Sequence, residues 1–124
     1  EANGNHRLSK SFGQSNDQHG TATAIDGAGH LLIGGYAQGD ITFGGATFMD
    51  NHFIDVAYAK FSSSGTHNWS GKKGDSSVQV VHAVAVDEKG TAYFGGGFEG
   101  SIDFGNGTVT STGGFDTFVV RMAP

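Results

Sequence analysis

Cysteine is absent from this sequence of 124 residues, and proline occurs once, at Pro124. Without cysteine the chain forms no disulfide and offers no thiolate as a metal ligand or nucleophile. Seven Lys and Arg stand against twelve Asp and Glu, a net charge of −5, whereas nucleic-acid binding requires clustered positive charge. No apolar run approaches the roughly 20 residues that span a bilayer. We therefore expect neither a nucleic-acid partner nor a membrane span.

Glycine, in contrast, is abundant at 22 residues, and the chain repeats itself. A shift of 61 residues (87 − 26) aligns the second half with the first half without a gap. Among the positions that coincide are Asp26 with Asp87, Gly35 with Gly96, Asp55 with Asp116, and 41–44 with 102–105. Such a period predicts repeats of one small unit that must stack on neighbours to bury its apolar face. Residues 1–124 thus form one module, with repeat 1 at about 1–61 and repeat 2 at about 62–122.

Each repeat predicts four short antiparallel strands and no helix, because no stretch keeps a 3.6-residue apolar period. The predicted strands are 21–25, 30–36, 56–61 and 67–73, matched by 82–86, 91–98, 117–122 and 6–12. Asp26 and Asp87 begin D-x-x-G turns, in which Asp accepts backbone N–H groups and Gly adopts a positive φ. Glycine-rich loops are predicted at 38–52 and 99–113. The predicted fold class is all-β.

Four antiparallel strands at this period are typical of β-propeller blades. The segment GTATAIDGAGHLLIGGYAQGDITFGG, followed by DVAYAKFSSSGTHNWS, also resembles the bacterial β-propeller repeats called SBBP repeats. The resemblance covers both copies, and it departs from the usual pattern at 50–53 and at Leu8, where Trp is usual. It implies a propeller on a secreted or cell-surface protein, without one assigned chemistry.

The repeat phase predicts assembly of several chains. The chain begins with a fourth strand (6–12) and finishes with a third strand (117–122), so in a ring one chain would complete the last blade of its neighbour. We predict a homo-oligomer formed through the N-terminal strand and the C-terminal blade. Propellers have about four to eight blades, which favours a trimer over a dimer or tetramer. A fibre that does not close, or a fragment of a longer propeller, are the alternatives.

No arrangement of residues predicts catalysis. The six histidines lack metal-site spacing, no G-x-S-x-G occurs, and no repeat holds an evident carboxylate pair. Asp26, Asp55 and their repeat partners are interpreted as turn and strand caps, with calcium as the alternative. Trp69 corresponds to Leu8, which favours packing between blades over stacking on a sugar. We predict no enzyme activity, no cofactor and no metal.

Ligand binding is predicted on the loop after the second strand, where the two copies differ. The candidate residues are Tyr36, Gln38, Asp40, Phe98, Glu99, Asp103 and Asn106. Their rings, carboxylates and amides suit hydroxyl-rich ligands, which makes glycans the leading class and proteins the next. The predicted function is a non-enzymatic, lectin-like, multivalent recognition module. The alternative is a structural subunit of an adhesin or extracellular fibre without a small-molecule ligand.

Overall fold

The computed structural model describes residues 3–124, which contain eleven β-strands and no helix. The strands are β1 (Gln18–Ile25), β2 (Leu31–Ala37), β3 (Ile41–Thr42), β4 (Thr47–Phe48), β5 (Asp55–Phe61), β6 (His67–Lys73), β7 (Gln79–Val86), β8 (Ala92–Phe98), β9 (Ser101–Asp103), β10 (Thr108–Thr110) and β11 (Asp116–Met122). All pairings between these strands are antiparallel, so the all-β prediction is confirmed. In this part of the chain no helix has the length and apolar character to cross a membrane.

The strands form two main sheets and two hairpins. Sheet 1 has four strands in the order β1–β2–β5–β6, and sheet 2 has three in the order β7–β8–β11. The segments predicted as loops, 38–52 and 99–113, contain the small hairpins β3–β4 and β9–β10. Each main sheet therefore carries one hairpin between its second and third strands.

The two D-x-x-G turns form as predicted. Asp26 Oδ1 accepts the backbone N–H groups of Ala28 at 3.0 Å and His30 at 2.9 Å. Asp87 Oδ1 accepts the N–H groups two and four residues further on, both at 2.9 Å. Gly29 has φ +81°, a backbone angle that favours glycine. These contacts fix the β1–β2 and β7–β8 hairpins.

Residues 6–12, which we call the N-terminal segment, pair with no strand of residues 3–124. The edge of β5, where a fourth strand must bind, is already occupied by β6. The segment instead lies against sheet 1, where the Phe12 ring stacks on Phe61 with centroids at 5.2 Å. Lys10 Nζ donates a hydrogen bond to the Gly65 carbonyl at 2.6 Å. The strand prediction is therefore wrong for this segment in the single chain.

The two sheets stack face to face in the same orientation, so that unlike faces of the two sheets are in contact. The front face of sheet 1 carries side chains buried against sheet 2: Leu32, Val56 and Tyr58. The back face of sheet 1 carries a second apolar cluster that includes Ile33, Ala57, Ala59 and Phe61. The side chains of sheet 2 in the first cluster include the repeat partners of that back face: Phe94, Phe118, Val120 and Met122. The front face of sheet 1 thus contacts the back face of sheet 2.

Aromatic rings fill the space between the sheets. Tyr58 contacts Phe94 with ring centroids at 5.2 Å, and Trp69 meets Tyr58 edge-on at 6.2 Å. Such pairs contribute about 0.5–1.5 kcal/mol each beyond their burial. Gly34 permits the close approach, because a methyl group there would lie 2.7 Å from Val81 Cγ1. Trp69 therefore packs between the sheets.

Candidate functional site

The seven residues predicted to bind a ligand do not share one depression of the surface. Tyr36 lines a small apolar pocket of about 70 Å³. Asp103 borders a cleft of about 500 Å³ between the two hairpins. Phe98 and Asn106 border a groove of about 670 Å³ beside β11. The remaining three, Gln38, Asp40 and Glu99, line none of these depressions.

In repeat 1, most of the predicted residues have contacts within the chain. The Tyr36 ring stacks on the exposed His19 ring with centroids at 4.8 Å. Asp40 Oδ1 accepts the backbone N–H of Asp50 at 2.6 Å. The Gln38 backbone is hydrogen-bonded through both its N–H and its carbonyl. Of the predicted residues in repeat 1, Tyr36 is the one with an aromatic ring, and together with His19 it presents ring surface to solvent.

In repeat 2, the predicted residues divide between core and surface. Phe98 is 4% exposed and packs edge-on against Phe118, so its side chain belongs to the core. Asp103 Oδ1 accepts two backbone N–H groups of its own hairpin, at 2.7 and 3.3 Å. Asn106 is exposed at the hairpin, and the Glu99 carbonyl accepts a hydrogen bond at 2.7 Å from a buried amide. Asp103 and Asn106 are thus the accessible polar groups of this set.

A buried ion pair lies beneath the cleft between the hairpins. Lys72 Nζ is 3.3 Å from Asp55 Oδ2, and each side chain is 4% exposed. The same ammonium group donates to the carbonyls of Gly39 at 3.3 Å and Met49 at 3.2 Å. Burial raises the pKa of Asp55, an effect that the Lys72 charge opposes. The pair therefore ties the β3–β4 hairpin to the edge of sheet 1.

A second buried charge cluster joins the two sheets. Asp26 Oδ2 lies 2.8 Å from His30 Nδ1 and 3.5 Å from Lys60 Nζ. Lys60 also donates to the Gly90 carbonyl in the β7–β8 turn at 3.1 Å. Burial opposes ionisation of Asp26, but the hydrogen bonds from His30 and Ala28 outweigh it and hold the pKa of Asp26 at about 2. Sequence reasoning identified Asp26 as a turn cap but missed Lys60, which lies in a different strand.

The histidines on the fourth-strand positions form short-range contacts. His67 Nε2 lies 2.9 Å from Ser70 Oγ, and His6 Nε2 lies 3.1 Å from Ser9 Oγ. These two contacts are equivalent under the 61-residue shift (67 − 6). Among residues 3–124, no three His, Asp or Glu side chains come together in a group that could hold a metal ion.

Within the described chain, the edge of sheet 2 formed by β11 is unpaired and lies beside exposed apolar side chains. β11 pairs with β8 on one side, and no strand within residues 3–124 pairs with its other side. A groove runs between this free edge and the β9–β10 hairpin. Large apolar side chains are exposed on β11 and next to it: Val109, Phe115 and Val119. An unpaired strand edge beside exposed apolar side chains is a surface with which a further strand can pair.

In comparisons with known proteins, no protein-family model matches the chain, and no curated protein matches it.

Proposed function

We propose that the chain is a non-enzymatic binding module that assembles head to tail with copies of itself into a closed propeller ring. The front-to-back stacking of sheets 1 and 2 carries this proposal. Units that stack in one direction leave a free front face at one end, which suits the next unit. The resemblance to SBBP repeats supports propeller blades as the identity of the two sheets.

The free front face belongs to sheet 2. Val119 there is the repeat partner of Tyr58, and it is exposed, whereas Tyr58 is buried. Thr117 is likewise exposed, whereas its partner Val56 is fully buried. Two blades per chain and about four to eight blades per propeller favour a trimer, with a dimer or tetramer as the other closed forms.

Glycans are the ligand class that we propose for the ring. Exposed Asp103 and Asn106 offer a carboxylate and an amide to sugar hydroxyls, and the Tyr36–His19 pair offers ring surface. Each site would be weak alone, but a ring repeats it and gains avidity without new contacts. Secretion or display at the cell surface fits such a role.

Binding to immobilised glycans tests this function directly. We expect the wild-type chain to be retained on a subset of a glycan array, and Val119→Asp, which blocks assembly, to dissociate at least about 10-fold faster because avidity is lost. Asp103→Ala should weaken binding while the assembly remains. An assembly that binds no glycan would instead favour the structural subunit, and open polymers would favour a fibre.

A further inference from the structure

The groove beside β11 has a counterpart in sheet 1 that is already filled. In sheet 1, β6 pairs with the side of β5 that faces away from β2. The first residue of β6, His67, packs on the β3–β4 hairpin. A methyl group placed on Gly44 would lie 3.5 Å from His67 Cβ. The repeat partner of Gly44 is Gly105, and a methyl group placed there meets nothing within 4 Å. The position that His67 occupies in sheet 1 is therefore open in sheet 2.

The unpaired N-terminal segment contains a side-chain contact that is also present in β6. Its His6–Ser9 contact repeats the His67–Ser70 contact at nearly the same distance, 3.1 against 2.9 Å. Leu8 takes the position of Trp69 and is 38% exposed. A segment that already holds one of the contacts of the paired strand loses less conformational entropy when it pairs.

The place of the N-terminal segment also suits exchange. It lies on the back face of sheet 1, through the contact of Phe12 with Phe61. Front-to-back stacking brings the front face of a neighbour's sheet 2 to that same back face. An apolar cleft of about 240 Å³ separates the segment from the inner strands of sheet 1, lined in part by Ile25, Leu31 and Ile33. A sheet that enters beside the segment would cover these side chains.

We propose that residues 6–12 of one chain insert as the fourth strand into the groove beside β11 of a second copy. This inference rests on the proposed ring, and it names the contact that closes each joint. The register follows from β5–β6, in which Ala59 is opposite Ser70 and Lys60 is opposite Trp69. A shift of 61 residues places Ser9 of one copy opposite Val120 of the other, and Leu8 opposite Arg121.

Paired cysteines test this register, and the absence of native cysteine leaves no competing thiol. Opposite positions on antiparallel strands lie about 4.5–5.5 Å apart, within disulfide reach. We expect Ser9→Cys/Val120→Cys to form disulfides between chains under mild oxidation with oxidised glutathione. Leu8→Cys/Arg121→Cys provides a second pair in the same register. The out-of-register control, Ser11→Cys/Val120→Cys, should cross-link at least about 10-fold less, because diagonal positions lie about 7–8 Å apart.

The mass of each variant under reducing conditions shows whether the chains assemble without a disulfide. This measurement separates a failure of strand insertion from a failure of the proposed ring. Chains that assemble and cross-link between neighbours only in the predicted register support strand insertion. Chains that assemble without in-register disulfides overturn the insertion and leave the ring in place. A disulfide within one chain overturns the insertion. If the variants and the wild-type chain all stay monomeric, both the insertion and the ring are overturned.

Discussion

Tyr58 and Val119 occupy the same position in the two repeats, 61 residues apart (119 − 58), yet Tyr58 is 3% exposed and Val119 is 77% exposed. Tyr58 is covered by Phe94 of the next sheet, whereas nothing in residues 3–124 covers Val119. Sheet 2 thus covers the front face of sheet 1, whereas the front face of sheet 2 is exposed. The proposed head-to-tail assembly depends on this difference.

Val119→Asp should prevent assembly without unfolding the chain. An aspartate at this exposed site would face the apolar back face of the neighbour's sheet 1, where an unpaired charge is costly. The stability of the monomer should change by no more than about 0.5 kcal/mol, as for most surface substitutions. Light scattering and thermal unfolding check the two parts. Met49→Asp, at another exposed apolar residue, is the control and should leave assembly intact.

Gly34→Ala and Gly95→Ala should change stability in opposite directions although the two glycines are repeat partners. A methyl group on Gly34 would lie 2.7 Å from Val81 Cγ1 and 2.8 Å from Val84 Cγ2, so overpacking should cost about 1–3 kcal/mol. At Gly95 the nearest atom would lie 3.8 Å away, and the loss of glycine flexibility should stabilise the monomer by about 0.4–1 kcal/mol. Denaturant unfolding of both variants, at a concentration where the chain is monomeric, measures the difference. Equal effects would contradict the front-to-back packing.

Lys72→Met should destabilise the fold by about 3–5 kcal/mol, because it leaves Asp55 buried without its partner. Adding Asp55→Asn should restore most of the loss, which a urea titration of the single and double variants measures. The pKa of Asp55 is already raised by burial and should rise further in Lys72→Met. Since a carboxyl with a raised folded pKa binds its proton more tightly when folded, Lys72→Met should regain stability as the pH falls through that pKa. A single variant as stable as wild type would argue against the pair as the support of the hairpin.

Asp26 should make folding sensitive to acid. Its pKa falls from the usual 3.8 to about 2 in the folded chain, so its stabilising contribution is complete above the unfolded value and is lost as the pH falls towards 2. Asp26→Asn should therefore flatten the dependence of stability on pH between about 4 and 2. Unfolding by urea at a series of pH values gives this slope. Asp17→Asn, which removes an equal charge from an exposed position, is the control for the loss of one negative charge.

The strands were largely predictable because period, turn residues and apolar runs are local properties. The fourth strand of sheet 1, His67–Lys73, begins and ends where the sequence predicts. Residues 6–12 carry the same pattern but form no strand, since pairing also requires a free edge within reach. The ion pairs of Lys60 and Lys72 depend on strand register and on sheet stacking, and the local sequence pattern contains neither. The sequence predicts Phe98 as a ligand-binding residue at the loop after the second strand, but Phe98 is the last residue of β8 and its side chain packs in the core.

The native mass of the wild-type chain tests head-to-tail assembly most directly. One chain has a mass of 12.8 kDa, so native mass spectrometry in dilute solution should give about 38 kDa, three times that value, for the favoured closed trimer. About 26 or 51 kDa, from two or four chains, would indicate the same closure with four or eight blades. A stable monomer at 12.8 kDa that keeps Val119 exposed would contradict the account.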